Sequence, residues 1–233
     1  MKLEPILIFV LMVFSFWLVW SANNPSLDNE EVFVVRVIDG DTIITSENLK
    51  IRLRGINTPE RKMFKYDSAK EFLKKLILNK TIKLQSFGKD KYGREIGYLF
   101  LDKENINNLI LKKGFAHLYY YDKDEDYETL QLSEKNARLN ELGIWEKSKN
   151  FGCIIVEKFI YLDLTEKDSE ILELINKCNK TLDILIKDDA THIYRKKISK
   201  KLTLETKNIW NDNGDSIYIW DSDGLIYFYR YSS

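Results

Sequence analysis

The sequence predicts a chain of three parts: an apolar N-terminal helix, a small β-barrel of five short strands with three helices interposed, and a C-terminal all-β sandwich. Three observations carry that reading. No charged residue interrupts the run from Pro5 to Asn24. Between Val32 and Trp145, short β-branched runs alternate with stretches of helical period. From Cys153 onward, seven short β-prone runs follow one another with polar turns between them.

The 233 residues are 44% apolar and 31% charged, a balance that supports a folded core and argues against disorder. Net charge is zero, so nothing global advertises a polyanion binder. The charge is unevenly spread: residues 31–149 hold 23 Lys+Arg against 19 Asp+Glu, and residues 150–233 hold 12 against 14. The first part alone leans toward a negatively charged ligand.

The N-terminal run reaches the roughly 18 apolar residues needed to cross a bilayer, and it has no polar face to set against a globular core. Ala22 is small, as a signal cleavage site requires, but bulky Trp20 spoils the small-x-small pattern. Residues 1–22 therefore read as a signal-anchor in preference to a cleaved signal peptide. Lys2 precedes the run and Asp28, Glu30 and Glu31 follow it, which orients the remainder outside the cytoplasm. The expectation is an extracytoplasmic, membrane-anchored protein, with a secreted one as the alternative. Residues 23–30 are polar and read as a linker.

In the barrel region, Val32 to Ile38 has strand character, Asp39-Gly40 is a hairpin signal, and Thr42 to Thr45 resumes the extended run. Ile51, Leu53 and Gly55 alternate with Arg52 and Arg54, so the apolar set faces a core while both arginines face the other side. Pro59 ends that ladder. Phe72, Leu73, Leu76 and Ile77 recur at helical spacing within Tyr66 to Leu78. Strands follow at Thr81 to Phe87 and Glu95 to Leu101, separated by the charged turn GKDKYG. A second helix, Asn105 to Lys113, stops at Gly114, and a third, Tyr127 to Leu142, stops at Gly143. Trp145 is the expected anchor to the body. Pattern alone is compatible with an OB-type barrel and with other α+β folds.

The stretch Val32 to Glu60 is where chemistry concentrates. It sets Asp39 and Asp41 in a turn beside a basic strand, and carboxylates converging with arginines suit a divalent metal and a phosphate. Four motifs recur in order: VIDGDT (Val37 to Thr42), IRLRGINTPE (Ile51 to Glu60), DKYGR (Asp90 to Arg94) and LKKGFA (Leu111 to Ala116) with GIW (Gly143 to Trp145). Together they resemble the thermonuclease family, the staphylococcal-nuclease-like domains, over residues 31–149.

That resemblance implies an OB-type five-stranded β-barrel with three helices that cleaves DNA and RNA with Ca²⁺, cutting the P–O5′ bond to leave 3′-phosphates. By position it implies Asp41 and the main-chain oxygen of Thr58 as metal ligands, with Asp39 in support behind them. Arg52 and Arg94 match the phosphate-gripping arginines, and Glu60 matches the general base. Tyr92 and Tyr120 match tyrosines bordering the nucleotide pocket. Asn57 stands where the family pattern has a second ligating aspartate; its amide oxygen can still coordinate Ca²⁺ but brings no charge. Lys89 and Lys91 beside Arg94 form a basic loop that reads equally as a solvated loop and as a contact to a nucleic-acid backbone. His117 reads as a surface or edge residue, Arg54 as structural or a rim contact, and the acidic run from Asp122 to Glu128 as turned away from the phosphate track or binding a cation.

From residue 150 the character changes, after the charged, turn-like EKSKN. ILELIN (Ile171 to Asn176) and IWNDNGDSIYIWDSDGLIYFYRY (Ile209 to Tyr231) resemble the lamin-tail domain, an immunoglobulin-like β-sandwich appended to secreted or surface nucleases. The resemblance implies a binding or positioning role toward nucleic acid or a surface component. Cys153 and Cys178 allow one disulfide in an oxidising compartment, or two buried thiols. The leading functional expectation is a Ca²⁺-dependent nuclease; the alternative is a non-catalytic nucleic-acid-binding or surface-attachment protein whose metal site Asn57 has weakened.

Overall fold

The computed structural model describes residues 29–120, 123–161 and 169–232. The expected anchor segment 1–22 and the linker up to residue 28 lie outside the described residues. Among the described residues no helix is long and apolar enough to cross a membrane.

The first body is built on β1 (Asn29–Val37). Its first half pairs antiparallel with β5 (Thr81–Lys89). After a bulge between Val34 and Arg36 its second half pairs with β2 (Thr42–Thr45). One strand thus serves two neighbours by bending, which is what bulges permit. It starts at Asn29, inside the expected linker, because Asn29 and Glu30 are held by a ladder to Gln85 and Leu84 that local propensity does not reveal. The sheet continues from β2 to β3 (Lys50–Leu53), and β3 runs parallel to β6 (Glu95–Leu101), which returns to β5. Five strands close on themselves, giving the expected OB-type barrel. Ile51 and Leu53 are buried inside it and Arg52 lies between them on the other side.

Two short pieces, β4 (Ile56–Asn57) and β8 (His117–Leu118), pair beside the barrel, and β7 (Glu104–Asn105) pairs with the end of β6. Three helices complete it. Helix α1 (Tyr66–Ile77) buries Ala69, Leu73 and Ile77, as its period requires. Helix α2 (Ile106–Lys112) is capped by Asn105, whose side chain accepts from the N–H of Asn108 at 3.0 Å. Helix α3 (Tyr127–Leu139) stops three residues short of the expected Leu142, because Glu141 and Gly143 turn the chain with φ of 54° and 59°. That turn lets the two helix-stopping glycines meet: the N–H of Ile144 donates to Gly114 O at 2.7 Å. A Cβ on Gly143 would stand 2.1 Å from Gly114 O.

Among the described residues the second body holds seven strands, matching the seven runs in the sequence: β9 (Ile154–Ile160), β10 (Glu170–Asn176), β11 (Leu182–Lys187), β12 (Ile193–Ile198), β13 (Lys201–Thr206), β14 (Gly214–Trp220) and β15 (Leu225–Ser232). They form two antiparallel sheets, ordered β13-β10-β9 and β12-β11-β14-β15. Leu172 and Leu174 of one sheet and Ile186, Ile217 and Ile219 of the other share one core. Cys153 and Cys178 are joined by a disulfide.

A third apolar cluster lies between the two bodies. Met63, Ala137, Ile144 and Trp145 from the barrel side pack with Leu185, Tyr218, Trp220 and Leu225. Trp145 is thus the expected anchor, and the indole N–H of Trp220 donates to Ile144 O at 2.9 Å. The charged, turn-like segment after Trp145, taken as the domain boundary, is partly buried, with Lys147 and Lys149 exposed. Ser148 and Asn150 are buried and both donate to Asp221 Oδ2, at 2.6 and 2.7 Å. The main chain of Glu146 and Ser148 pairs with Leu225. These partners come from 70 residues away, so a local reading of EKSKN had no access to them.

Replacing Gly143 by alanine combines a left-handed backbone cost of about 1–2 kcal/mol with the collision against Gly114 O, so a loss above about 2 kcal/mol is expected. Gly152→Ala, with φ of 82° and open space around its Cβ, should cost only the backbone part. Urea midpoints for the two variants at unchanged slope check the difference.

Candidate active site

The turn between β1 and β2 places two carboxylates. Asp39 Oδ1 accepts from the N–H of Asp41 at 3.1 Å, which fixes the turn. Gly40 between them lies against the next elements: a Cβ there would stand 2.9 Å from side-chain atoms of Thr58 and Ala69. Asp41 is buried, and both of its carboxylate oxygens accept hydrogen bonds. Its Oδ2 accepts from the N–H and the hydroxyl of Thr58, at 2.8 and 2.6 Å, and its Oδ1 accepts from Thr42 Oγ1 at 3.1 Å. Arg52 Nε faces the same Oδ1 at 3.3 Å. Arg52 also donates to Leu53 O at 2.8 Å and, from Nη2, to Asn57 Oδ1 at 3.3 Å. Asp41, Arg52, Asn57 and Thr58 are therefore one cluster. Glu60 leaves it as the chain emerges, and is exposed; its main-chain oxygen accepts from the N–H of Met63 at 2.9 Å.

The parallel β3–β6 ladder brings in the second arginine. Ile51 is opposite Glu95, so Arg94, one residue earlier, arrives beside β3. Arg94 is oriented by Asp90, whose Oδ2 takes both Nε and Nη2 at 2.8 Å. Desolvation alone raises Asp90, but the backbone N–H and guanidinium of Arg94 hold it below the usual carboxylate range. Tyr92 stands 72% exposed at the tip of this turn, with Lys91 Nζ 5.2 Å and the Arg94 guanidinium 5.5 Å from its ring. Lys89 is exposed on β5 opposite Glu95. Cationic groups around an open aromatic face make a ledge suited to a phosphate chain and a base.

The electrostatics suit a cation. Burial, then the neighbouring charge of Asp41, push the Asp39 carboxyl up to about 6. Two carboxylates in mutual repulsion, with an amide oxygen and main-chain oxygens at hand, are an all-oxygen donor set of the kind a hard divalent ion takes. Among the described residues no group of three or more His, Cys, Asp or Glu is poised for a metal, so such an ion would draw on Asn57 Oδ1 and the Thr58 main-chain oxygen as well.

Two neighbours turn elsewhere. Arg54 Nε pairs with Asp124 at 2.8 Å and its guanidinium lies 4.4 Å over Phe87. Tyr120 donates its hydroxyl to Asp124 Oδ1 at 2.8 Å and meets the Tyr98 hydroxyl, with its ring edge-on to Tyr127. Asp124 of the acidic run is thus spent on Arg54 and two tyrosines.

Comparison with known proteins bears on this geometry. The family profile described as Staphylococcal nuclease homologue matches residues 50–147. A thermonuclease of Staphylococcus intermedius is 34% identical over 137 residues, covering 54% of this chain and 82% of that protein. A thermonuclease of Staphylococcus hyicus is 34% identical over 130 residues, covering 50% and 77%. An uncharacterized endonuclease of Haemophilus influenzae is 34% identical over 117 residues, covering 48% and 64%. The chain belongs to the staphylococcal nuclease family. Membership supports a nuclease-type hydrolase function for the barrel.

In this family member the second body touches the site, which the sequence did not disclose. Asn57 Nδ2 donates to the carbonyls of Asp189 and Ala190, at 3.1 and 2.7 Å. His117, expected at the surface, is buried opposite Asn57 in the β4–β8 pair. Its Nε2 lies 3.1 Å from Lys187 Nζ, and Nδ1 lies 3.1 Å from Leu118 O. An ammonium can only donate, so Nε2 accepts and the proton sits on Nδ1. Burial and then the Lys187 charge push His117 well below its usual range. Lys187 itself, pushed down to about 8 by burial, remains charged at neutral pH. Glu134, buried on α3, accepts from Leu118 N at 2.8 Å and takes both Nη1 and Nη2 of Arg230, at 2.5 and 2.9 Å.

Removing one partner of a buried pair strands the other. Arg230→Met is expected to cost about 3 kcal/mol, and adding Glu134→Gln should recover part of it, because the Glu134 charge no longer remains buried and unpaired, while Asp189, 3.5 Å from Arg230, still loses its partner. Chemical denaturation of the two variants checks this.

Proposed function

We propose that the chain is a Ca²⁺-dependent endonuclease hydrolysing phosphodiester bonds of DNA and/or RNA outside the cytoplasm, leaving 3′-phosphates. The observation that supports it is the single cluster of Asp41, Arg52 and Thr58, with Glu60 exposed two residues beyond Thr58 and Arg94 immediately before β6, the strand that pairs with β3. Asp41, Asn57 through Oδ1 and Thr58 through its main-chain oxygen are the residues to hold the ion, with Asp39 behind them. When bound, a hard divalent ion offsets phosphate charge and orients water.

The chain's own groups do the rest. Arg52 and Arg94 each present a planar fork of donors that fits phosphate oxygens, and each is already held in place by a carboxylate. Glu60, open to solvent, accepts the proton of the attacking water. Arg94 stands ready to stabilise the departing 5′-oxygen. Tyr92, Lys89 and Lys91 supply the flank along which the strand runs, and Tyr120 borders the pocket through its ring, its hydroxyl being engaged with Asp124. The disulfide between Cys153 and Cys178 supports an oxidising, extracytoplasmic setting, with residues 1–22 as membrane anchor. The two-sheet body, read as an immunoglobulin-like lamin-tail domain, serves binding or positioning, with nucleic acid or a surface component as its partner.

Single-stranded DNA should be degraded with Ca²⁺ and spared with EDTA. Glu60→Ala, Arg52→Ala and Arg94→Ala should each lower the rate by about 10²- to 10⁴-fold while the circular dichroism spectrum is kept. Near-parental rates in all three would remove the assignment.

A further inference from the structure

We propose that Asn57 is a positioning residue through which the C-terminal domain holds Arg52, so that the nuclease site is completed by the second domain. This rests on the reading of Arg52 as a phosphate-gripping group and goes beyond it by assigning the second domain a part in the same site.

One amide faces both domains, a different end toward each. Both N–H bonds of Asn57 Nδ2 go to the second domain, to the carbonyls of Asp189 and Ala190. Its Oδ1 accepts from Arg52 Nη2, and Arg52 Nε in turn faces Asp41 Oδ1. A continuous polar path thus runs from the β11–β12 loop through Asn57 and Arg52 to the carboxylate at the bottom of the site. Asn57 is 2% exposed, so water does not substitute for any of these partners.

The amide is required by this arrangement. A carboxylate at position 57 only accepts, and it would meet two carbonyl oxygens at the 2.7 and 3.1 Å now bridged by donated hydrogens. It would lose two hydrogen bonds and leave buried acceptors facing each other. The departure from the family's aspartate is therefore explained by the domain that docks there.

The loop is held rigidly enough to act as a strut. The three protons of Lys187 have three acceptors: Asp188 O, Ala190 O and His117 Nε2. Asp188 accepts from the N–H of His192 at 3.0 Å and from its Nδ1 at 2.6 Å, closing the loop on itself. Asp189 is fixed at its N–H by Asp215 Oδ1 and at its carboxylate by Tyr218 and Ser216. Both carbonyls that receive Asn57 are thus set from within the second domain.

The test uses the full chain with Asn57→Asp, Asn57→Ala, Lys187→Met and the double variant Asn57→Ala with Lys187→Met. Three readings are taken: kcat and KM on single-stranded DNA at saturating Ca²⁺, hydrogen–deuterium exchange over residues 52–58 and 187–192, and Ca²⁺ binding by calorimetry. Asn57→Asp is expected to lower kcat/KM about tenfold or more, the worth of a hydrogen bond to a charged group, and to speed exchange in both segments. Lys187→Met should do the same without touching the pocket, and the double variant should add little to either single one. Tighter Ca²⁺ binding and higher activity in Asn57→Asp, with exchange at 187–192 unchanged, would overturn the proposal. So would strictly additive losses. If Lys187→Met fails to fold, Asn57→Ala alone decides through exchange at 187–192. An inactive parent would sink the proposed function while exchange still judged the coupling.

Discussion

The parallel ladder between β3 and β6 is the constraint from which the site follows. It closes the barrel, and by setting Ile51 opposite Glu95 it brings the end of the DKYGR turn to the strand that carries Arg52. Neither arginine depends on its own backbone conformation alone: Asp41 orients one and Asp90 the other. Strand alternation does the remaining sorting, sending Ile51 and Leu53 inward and leaving Arg52 to the polar side. A loss of that ladder would separate the two guanidinium groups before it cost much buried area.

The second constraint is the contact between the two bodies, in which apolar and ionic parts have different jobs. Trp145, Tyr218 and Trp220 supply area, with ring centroids within 6 Å of one another along the chain of contacts. The charged groups set register. Glu134 with Arg230, and Lys187 with His117, each satisfy their donors and acceptors within the interface, so the penalty of burying them is met there. A slip of one body on the other would break these pairings at once, while the apolar cluster tolerates small shifts.

What the sequence made legible was local. The alternation around Arg52, the Asp-Gly turn, the helix stop at Gly114 and the seven runs after Cys153 all express a short-range period or a backbone requirement and stand in the structure, whereas the third helix ended at Leu139, before Gly143. The ordered motifs led to the family and to the cluster around Asp41. What stayed hidden was set by residues far apart in the chain. Asn29 and Glu30 became strand through a partner 56 and 54 positions on. His117 looked like an edge residue because Lys187 and Tyr218, which bury it, belong to the other body. Asn57 was visible as a departure from the family pattern, but its partners were a pair of main-chain carbonyls, which no sequence pattern identifies.

The seam from Glu146 to Asn150 has a consequence for how the protein fails. Peptide groups of Glu146 and Ser148 are paired with Leu225 and the side chains of Ser148 and Asn150 with Asp221, so where a protease seeks a loose hinge between domains it meets main chain held in place. Cleavage there has to wait for the bodies to part, and parting exposes Trp145 and Trp220 together. Barrel and second body consequently share one lifetime against degradation, and damage to the two-sheet body shortens that of the barrel.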